Sequence, residues 1–307
     1  MRVRAIQAAV ILSLALGAPP RARAQDTLQT VRHEKLESEF KRVAQQLQGV
    51  MGYAIKDLST GESFYSNADL VFPTASSIKL TVLLELMRQA QEGKLSLEEK
   101  HTIRRSDMTV GDTEPILTML GDGTAAMSLR DLAIFMVVLS DNSATNILIE
   151  RLGMENINAG IARLALKETK LRRRMIDLEA ARRGNENVST PRELMTLLEK
   201  VRAGQALDSA HTREYFDLLK LPKDSLFHKA LPDTVPIADK PGALEAVRCD
   251  AGIVEISGRP VALSIMTTYL AHDSEGERAV EEAARLAYDY FDRLGRSSPY
   301  GRVISDK

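Results

Sequence analysis

The chain has 307 residues, of which 44% are hydrophobic and 27% charged, with a formal net charge of −1. That composition suits a globular protein of one or two domains, and the balanced charge removes any global electrostatic case for binding nucleic acid or an anionic membrane. The absence of tryptophan and the scarcity of other aromatics also remove the stacking platforms that single-stranded nucleic acid needs.

The N-terminus reads as an export signal at 1–24: a basic "MRVR", a short apolar "AIQAAVILSLALGA", and a small-x-small "ARA" ending at Ala24. Cleavage after Ala24 would leave a mature chain starting at Gln25, periplasmic or secreted. The apolar run is too short for a comfortable membrane span, and no other long apolar stretch follows, so no span is expected in the mature chain. Cys249 is alone, which excludes an intrachain disulfide and reads as a small, semi-buried residue. His33, His101, His211, His228 and His272 are scattered without ligand spacing, so neither a metal site nor a cofactor is expected.

"HEKLESEFKRVAQQLQ" places Leu36, Phe40, Val43 and Leu47 at helical spacing. "GVMGYAIKDLSTGESFYSNADLVF" reads as two strands around an "STG" turn. "FPTASSIKLTVLLELM" opens a helix that Gly93 stops. The middle is mostly helical: "SLRDLAIFMVVL" with a serine cap, "SATNILIERLG" ended by Gly153, "NINAGIARLAL", and "TPRELMTLLEKVRAG" with Thr190 as cap and Pro191 in its first turn. Among these lies "RRRMIDLEAARRGNENVS", too polar and irregular for a core element and long for a connection, which is where function often sits. Strands return in "TVPIADKPGAL", "CDAGIVEI" and "VALSIMTTYL", and a closing helix presents Val280, Ala284, Ala287, Tyr290 and Phe291 on one side. Early and late strands must share a sheet. The expectation is an α+β protein with a discontinuous α/β lobe, 25–72 and 222–307, and an inserted helical lobe, 73–221.

Ser76-Ser77-Ile78-Lys79 carries the first chemical pattern. Residues three apart share a helix face, so Ser76 can meet Lys79, and a neutral amine can take a hydroxyl proton. A helix cap explains either serine equally well, and S-x-x-K alone is weak. Ser140-Asp141-Asn142 alone reads as an N-cap run, and Lys240-Pro241-Gly242 alone as a turn signal.

In this order, together with "FP" before the first pattern, "SDNSATNILIERLG" containing Asn146, "IADKPGA", and "STP" after the irregular loop, the three resemble the class A β-lactamases and related penicillin-binding proteins, whose motifs are S-x-x-K, S-D-N and K-T-G. The resemblance covers nearly the whole mature chain. It implies the β-lactamase/transpeptidase-like fold, an antiparallel sheet flanked by terminal helices plus an inserted all-helical lobe. It also implies a small-molecule acyl donor as partner, a β-lactam, peptide or ester. By position, Ser76 becomes acylated, Lys79 accepts or relays its proton, and Ser140 passes a proton to the leaving nitrogen with help from Lys240. Asn142 binds a substrate amide, the N–H groups of Ser76 and Ala243 form an oxyanion hole beside Gly242, and Lys240 attracts a substrate carboxylate. Arg248 either assists Lys240 or is a plain surface arginine.

Two departures stand out. Pro241 replaces the hydroxyl residue of K-T-G and removes a backbone donor. In the irregular loop, Met175 falls where the family's E-x-x-L-N motif has the glutamate that activates the hydrolytic water, with Leu178 on its leucine and Glu179 on its asparagine. Three readings follow: a hydrolase using another base, with Asp177 and Glu179 the candidates unless they merely pair with loop arginines; an enzyme that acylates but releases slowly, as penicillin-binding proteins do; or a binding or sensor module without turnover.

Overall fold

The structure, a computed structural model, describes residues 20–109, 125–298 and 300–303. Most of the expected export segment therefore lies outside the described residues. Helix α1 (Pro20–Gln46) spans the expected cleavage point and continues through the amphipathic segment. Leu36, Phe40 and Val43 are buried at the spacing read from the sequence. No helix among the described residues is long and apolar enough to cross a membrane.

The central sheet has five antiparallel strands in the order β2-β1-β9-β8-β7. They are β1 (Val50–Asp57), β2 (Ser63–Ser66), β7 (Ile237–Leu244), β8 (Val247–Ile256) and β9 (Arg259–Thr268). The first and last thirds of the chain meet where β1 pairs with β9, with Tyr53 opposite Ile265. Hairpins need only tight turns, so β7, β8 and β9 follow one another directly.

Side chains alternate across a strand, and here both faces are covered. On one face Tyr53, Ile55, Val254, Leu263 and Ile265 pack with Phe40 of α1 and Val280, Ala284 and Phe291 of α10 (Asp273–Arg296). On the other, Ala54, Cys249, Ala251, Ala262 and Met266 join the core of the helical segment. That double burial explains why the strands read as continuous apolar runs rather than alternating ones.

The helical segment is built around α2 (Lys79–Gln91), whose first nine residues are all buried, as expected of a central helix. Around it pack α3 (Leu129–Val138), α4 (Asn142–Leu152), α5 (Met154–Arg163), α7 (Pro191–Arg202) and α8 (Ser209–Leu219), the last not anticipated from the sequence. The caps act as read. Ser128 accepts from Asp131 N–H, and Thr190 accepts from Glu193 N–H. Such caps contribute about 1 kcal/mol each. The irregular loop contains one short helix, α6 (Leu178–Arg182), and ends in β6 (Val188–Ser189), which pairs with β3 (Phe72–Pro73) just before the first chemical pattern. A small ribbon of β4 (Lys100–Ile103) and β5 (Ala125–Ser128), and a short α9 (Leu226–Ala230), complete the described elements. With an antiparallel sheet, terminal helices on one face and a helical segment on the other, the architecture is α+β.

Candidate active site

The segment read as one helix from Pro73 is two elements. A 3-10 turn, Ala75–Ile78, precedes α2, and Ala75 has φ +47°. An alanine in the left-handed region is costly, by about 1 kcal/mol or more, and persists only where its surroundings enforce it. Here they do. Thr74 N–H donates to Asn187 O on the loop side, and β7 presses from the other. A Cβ at Gly242 would lie 2.6 Å from Thr74 O, 2.7 Å from Cys249 Sγ and 3.0 Å from Ala75 Cβ. Glycine is therefore required in the third pattern so that β7 can touch the turn carrying Ser76.

The two serines differ sharply. Ser77 is fully buried, donates to Lys240 O at 2.9 Å and contacts Cys249 Sγ at 3.3 Å. It ties the turn to the sheet. Ser76 is half-buried and lines a cleft of about 370 Å³, together with Ser140, Asn142, Lys240, Gly242, Ala243 and Arg248. Residues of three separate motifs thus open onto, or support, one cavity.

Lys79, buried at the start of α2, donates to Ser140 O at 2.6 Å, Ser140 Oγ at 3.0 Å and Asn142 Oδ1 at 3.0 Å. Ser140 reaches it because it too is left-handed, φ +55°, at the corner between α3 and α4. Asp141 caps α4 by accepting from Ala144 N–H at 2.7 Å, which is the cap role the sequence allowed. Lys240 Nζ donates to the same Ser140 Oγ at 3.1 Å and to Pro241 O at 3.1 Å. A serine hydroxyl has two acceptor lone pairs and one proton. With a lysine Nζ–H donating to each lone pair, the proton of Ser140 is directed away from both lysines. Burial pushes Lys240 down to about 8, against the attraction of Asp250 and Asp239 and with the repulsion of Lys223.

Arg248 lines the cleft but is heavily engaged: its guanidinium meets Glu277 Oε1 and Asp273 Oδ2, each at 2.9 Å, and donates to Leu244 O and Val247 O. Pro241 is tolerated because β7 is an edge strand. Asp224, Ser225 and Lys229 also line the cleft. They went unnoticed because α9 is too short for a periodic signal, although "DSLFHK" carries a cap pattern: Ser225 accepts from His228 N–H.

The candidate deacylation bases are not brought to this cleft. Asp177 is exposed and caps α6, accepting from Ala180 N–H at 2.9 Å. Glu179 is 81% exposed and pairs with Arg183. Neither is among the residues lining the cavity around Ser76. Met175 is buried in the helical core.

The family model described as the beta-lactamase enzyme family matches residues 35–291. Beta-lactamase SME-1 of Serratia marcescens is 27% identical over 264 residues, covering 83% of this chain and 88% of its own. The solved structure of an ancestral class A β-lactamase superposes with a TM-score of 0.76 at 24% identity, over 83% of this chain and 98% of its own. A mutant of PBP-A, solved as an acyl-enzyme complex with penicillin G, superposes with a TM-score of 0.75 at 25% identity, over 86% and 97%. With the family model matched over most of its length, the class A fold, and the S-x-x-K, S-D-N and K-x-G residues gathered at one cleft, the chain belongs to the beta-lactamase enzyme family, as a class A β-lactamase-like serine hydrolase.

Proposed function

We propose that this protein is an exported serine hydrolase that attacks β-lactam amides through an acyl-Ser76 intermediate, and that release of the acyl group is its slow step. The observation that carries the first half is the array Lys79–Ser140–Lys240 beside the cleft of Ser76. Ser76 Oγ bonds to the lactam carbonyl carbon while its proton passes to Lys79, directly or by relay, with Lys79 entering the step as the neutral amine. Charge developing on the carbonyl oxygen is met by the N–H groups of Ser76 and Ala243. The C–N bond then breaks, and Ser140, whose proton points away from both lysines, delivers that proton to the leaving nitrogen while Lys79 returns the Ser76 proton to Ser140 Oγ. Lys240 faces the substrate carboxylate, and Asn142 the side-chain amide. The penicillin acyl-enzyme of PBP-A supports the same covalent route here.

Met175 supports slow release. In the alignment of the loop this buried apolar side chain falls on the position of the family's glutamate, and Asp177 and Glu179 are committed elsewhere. This reading places the protein between a lactamase and a penicillin-binding protein in behaviour. Export rests on the sequence at 1–24.

Mixing the protein with a chromogenic cephalosporin tests the reading. The expected result is a one-equivalent burst, a mass adduct on Ser76 absent from Ser76→Ala, and a low steady rate. No adduct and no turnover with any β-lactam would overturn it. Turnover without a burst would overturn the slow-release half, and binding that survives Ser76→Ala without hydrolysis of any acyl substrate would point to a sensor module.

A further inference from the structure

Beneath the cleft, on the opposite face of β7 from Lys240, lie two carboxylates that the reaction above does not use. Asp239 sits opposite Gly252, and Asp250 opposite Pro241, so the two are diagonal neighbours on one face of the β7–β8 pair. Both are fully buried. The space for Asp239 is made by Gly252, where a Cβ would lie 2.5 Å from Asp239 Cβ. Half of each carboxyl is satisfied. Lys223, itself fully buried, donates to Asp239 Oδ1 at 2.8 Å, and Phe227 N–H donates to Asp250 Oδ2 at 3.1 Å. The remaining oxygens, Asp239 Oδ2 and Asp250 Oδ1, are buried without a hydrogen-bond partner. His228 Nδ1 stands 3.7 Å from Asp239 Oδ2, beyond hydrogen-bond distance, and is within 2.7 Å of Ser225 Oγ.

A buried carboxylate oxygen without a donor is costly, by about 1–3 kcal/mol or more for a charged group. A single proton shared between two such oxygens on diagonal neighbours would satisfy both. We propose that Asp250 is a neutral carboxylic acid donating from Oδ1 to Asp239 Oδ2, and that this pair, with Lys223, acts as a positioning device that sets the charge state of Lys240.

The electrostatics agree. Burial, and then the charge of Asp239, drive Asp250 well above the usual carboxylate range. Burial also acts on Asp239, but His228, Lys223 and Ser225 outweigh it and keep Asp239 ionised. The charged and titratable groups that act on Lys240 are Asp239 from its own strand and Asp250 from β8 across the sheet, Cys249 from β8 and Lys223 from the α8–α9 connection, while Ser140 bridges it to Lys79 of α2. With Asp250 neutral, Asp239 and Lys223 cancel. Lys240 then has no uncompensated anion beneath it, so burial decides its proton. An ionised Asp250 would add its attraction and hold the proton on Lys240 to higher pH.

Carboxyl-carbon NMR of the full-length protein, with aspartate side chains assigned by through-bond correlation, decides the first half without any variant. The expected result at neutral pH is an Asp250 signal at the protonated position and an Asp239 signal at the ionised one. Asp250 at the carboxylate position, as for two anions bridged by water, would overturn it. The second half rests on the acylation proposed above and is read from pH profiles. Asp250→Asn should leave the alkaline limb of acylation in place, and Asp239→Asn should move it to lower pH by about one unit or more. Equal shifts in both variants, or none in Asp239→Asn, would overturn the tuning role. Absence of acylation in the wild-type protein would overturn both the functional reading and the tuning role, while the NMR result stood independently.

Discussion

Asn146 clamps the backbone of Met175 from both sides. Its Oδ1 accepts from Met175 N–H at 2.8 Å, and its Nδ2 donates to Met175 O at 3.1 Å. The same Nδ2 donates to Thr109 Oγ1 at 3.0 Å. A side chain of α4 thus holds the loop at the position that the sequence alignment puts opposite the family's hydrolytic glutamate. The left-handed Ile176, φ +62°, turns the chain immediately afterwards.

With the backbone already held, Met175→Glu should restore a base for the hydrolytic water. A positioned general base contributes on the order of 10²–10⁴-fold, and acyl-enzyme lifetime should shorten at the low end of that range. The new carboxylate replaces a buried thioether, so a stability loss of roughly 1–3 kcal/mol is expected. Quenched-flow mass spectrometry of the adduct measures the first, and urea unfolding the second. An unchanged lifetime in a folded variant would show that deacylation is limited elsewhere.

The two adjacent serines should separate cleanly. Ser76→Ala should abolish the covalent adduct with little effect on folding, since Ser76 faces the cleft. Ser77→Ala removes the bond to Lys240 O and should cost about 1 kcal/mol of stability while retaining the adduct. Intact-mass measurement and thermal unfolding on both variants check this contrast. An adduct that persists in Ser76→Ala and vanishes in Ser77→Ala would reverse the assignment.

Gly242→Ala should be more damaging than an exposed glycine replacement, because its Cβ meets the backbone carbonyl of Thr74 at 2.6 Å. Relief requires β7 to move off the turn that carries Ser76. Overpacking of this kind costs about 1–3 kcal/mol, and acylation should fall with it. Gly258→Ala, whose Cβ meets nothing within 4 Å, is the control; its φ of +75° brings local strain without a clash and away from the cleft. Equal acylation rates in the two variants would contradict the packing argument.

Lys240 gives the pH dependence its sign. Its folded value of about 8 lies below the ordinary 10.5, so between these limits the unfolded chain binds the extra proton. Its contribution to stability is therefore fully present above 10.5 and is lost as pH falls through about 8. Lys240→Met should flatten that part of the difference between the two unfolding curves. In the wild-type protein, acylation of carboxylate-bearing substrates should decline as pH rises through about 8, where Lys240 loses its charge. A profile flat across that range would remove Lys240 from substrate recognition.

Much of this protein was legible along the chain. The α1 stripe, the caps of α3 and α7, the stops at Gly93 and Gly153, and the strand runs near the C-terminus all depend on local spacing. Short-range patterns suffice when the deciding interactions lie within one turn or one strand. The elements passed over were those lacking such a pattern. The 3-10 turn at Ala75 is enforced by Asn187 and Gly242, which are remote in sequence. Helix α9 is too short to show a period, so the part of the cleft formed by Ser225 and Lys229 was missed.

By itself, the sequence determined the residue types the chemistry needs and their order: a serine three places before a lysine, an S-D-N run, a K-x-G strand, and a methionine where a carboxylate was expected. Only the tertiary structure decided which serine faces the cleft, that one hydroxyl lies between two lysine side chains, and that Asp177 and Glu179 are held away from it. The physical reason is that hydrogen bonds and buried charges are settled by distance in space. Ser140 lies 61 positions from Lys79 and 100 from Lys240, separations over which no periodicity in the chain reports proximity.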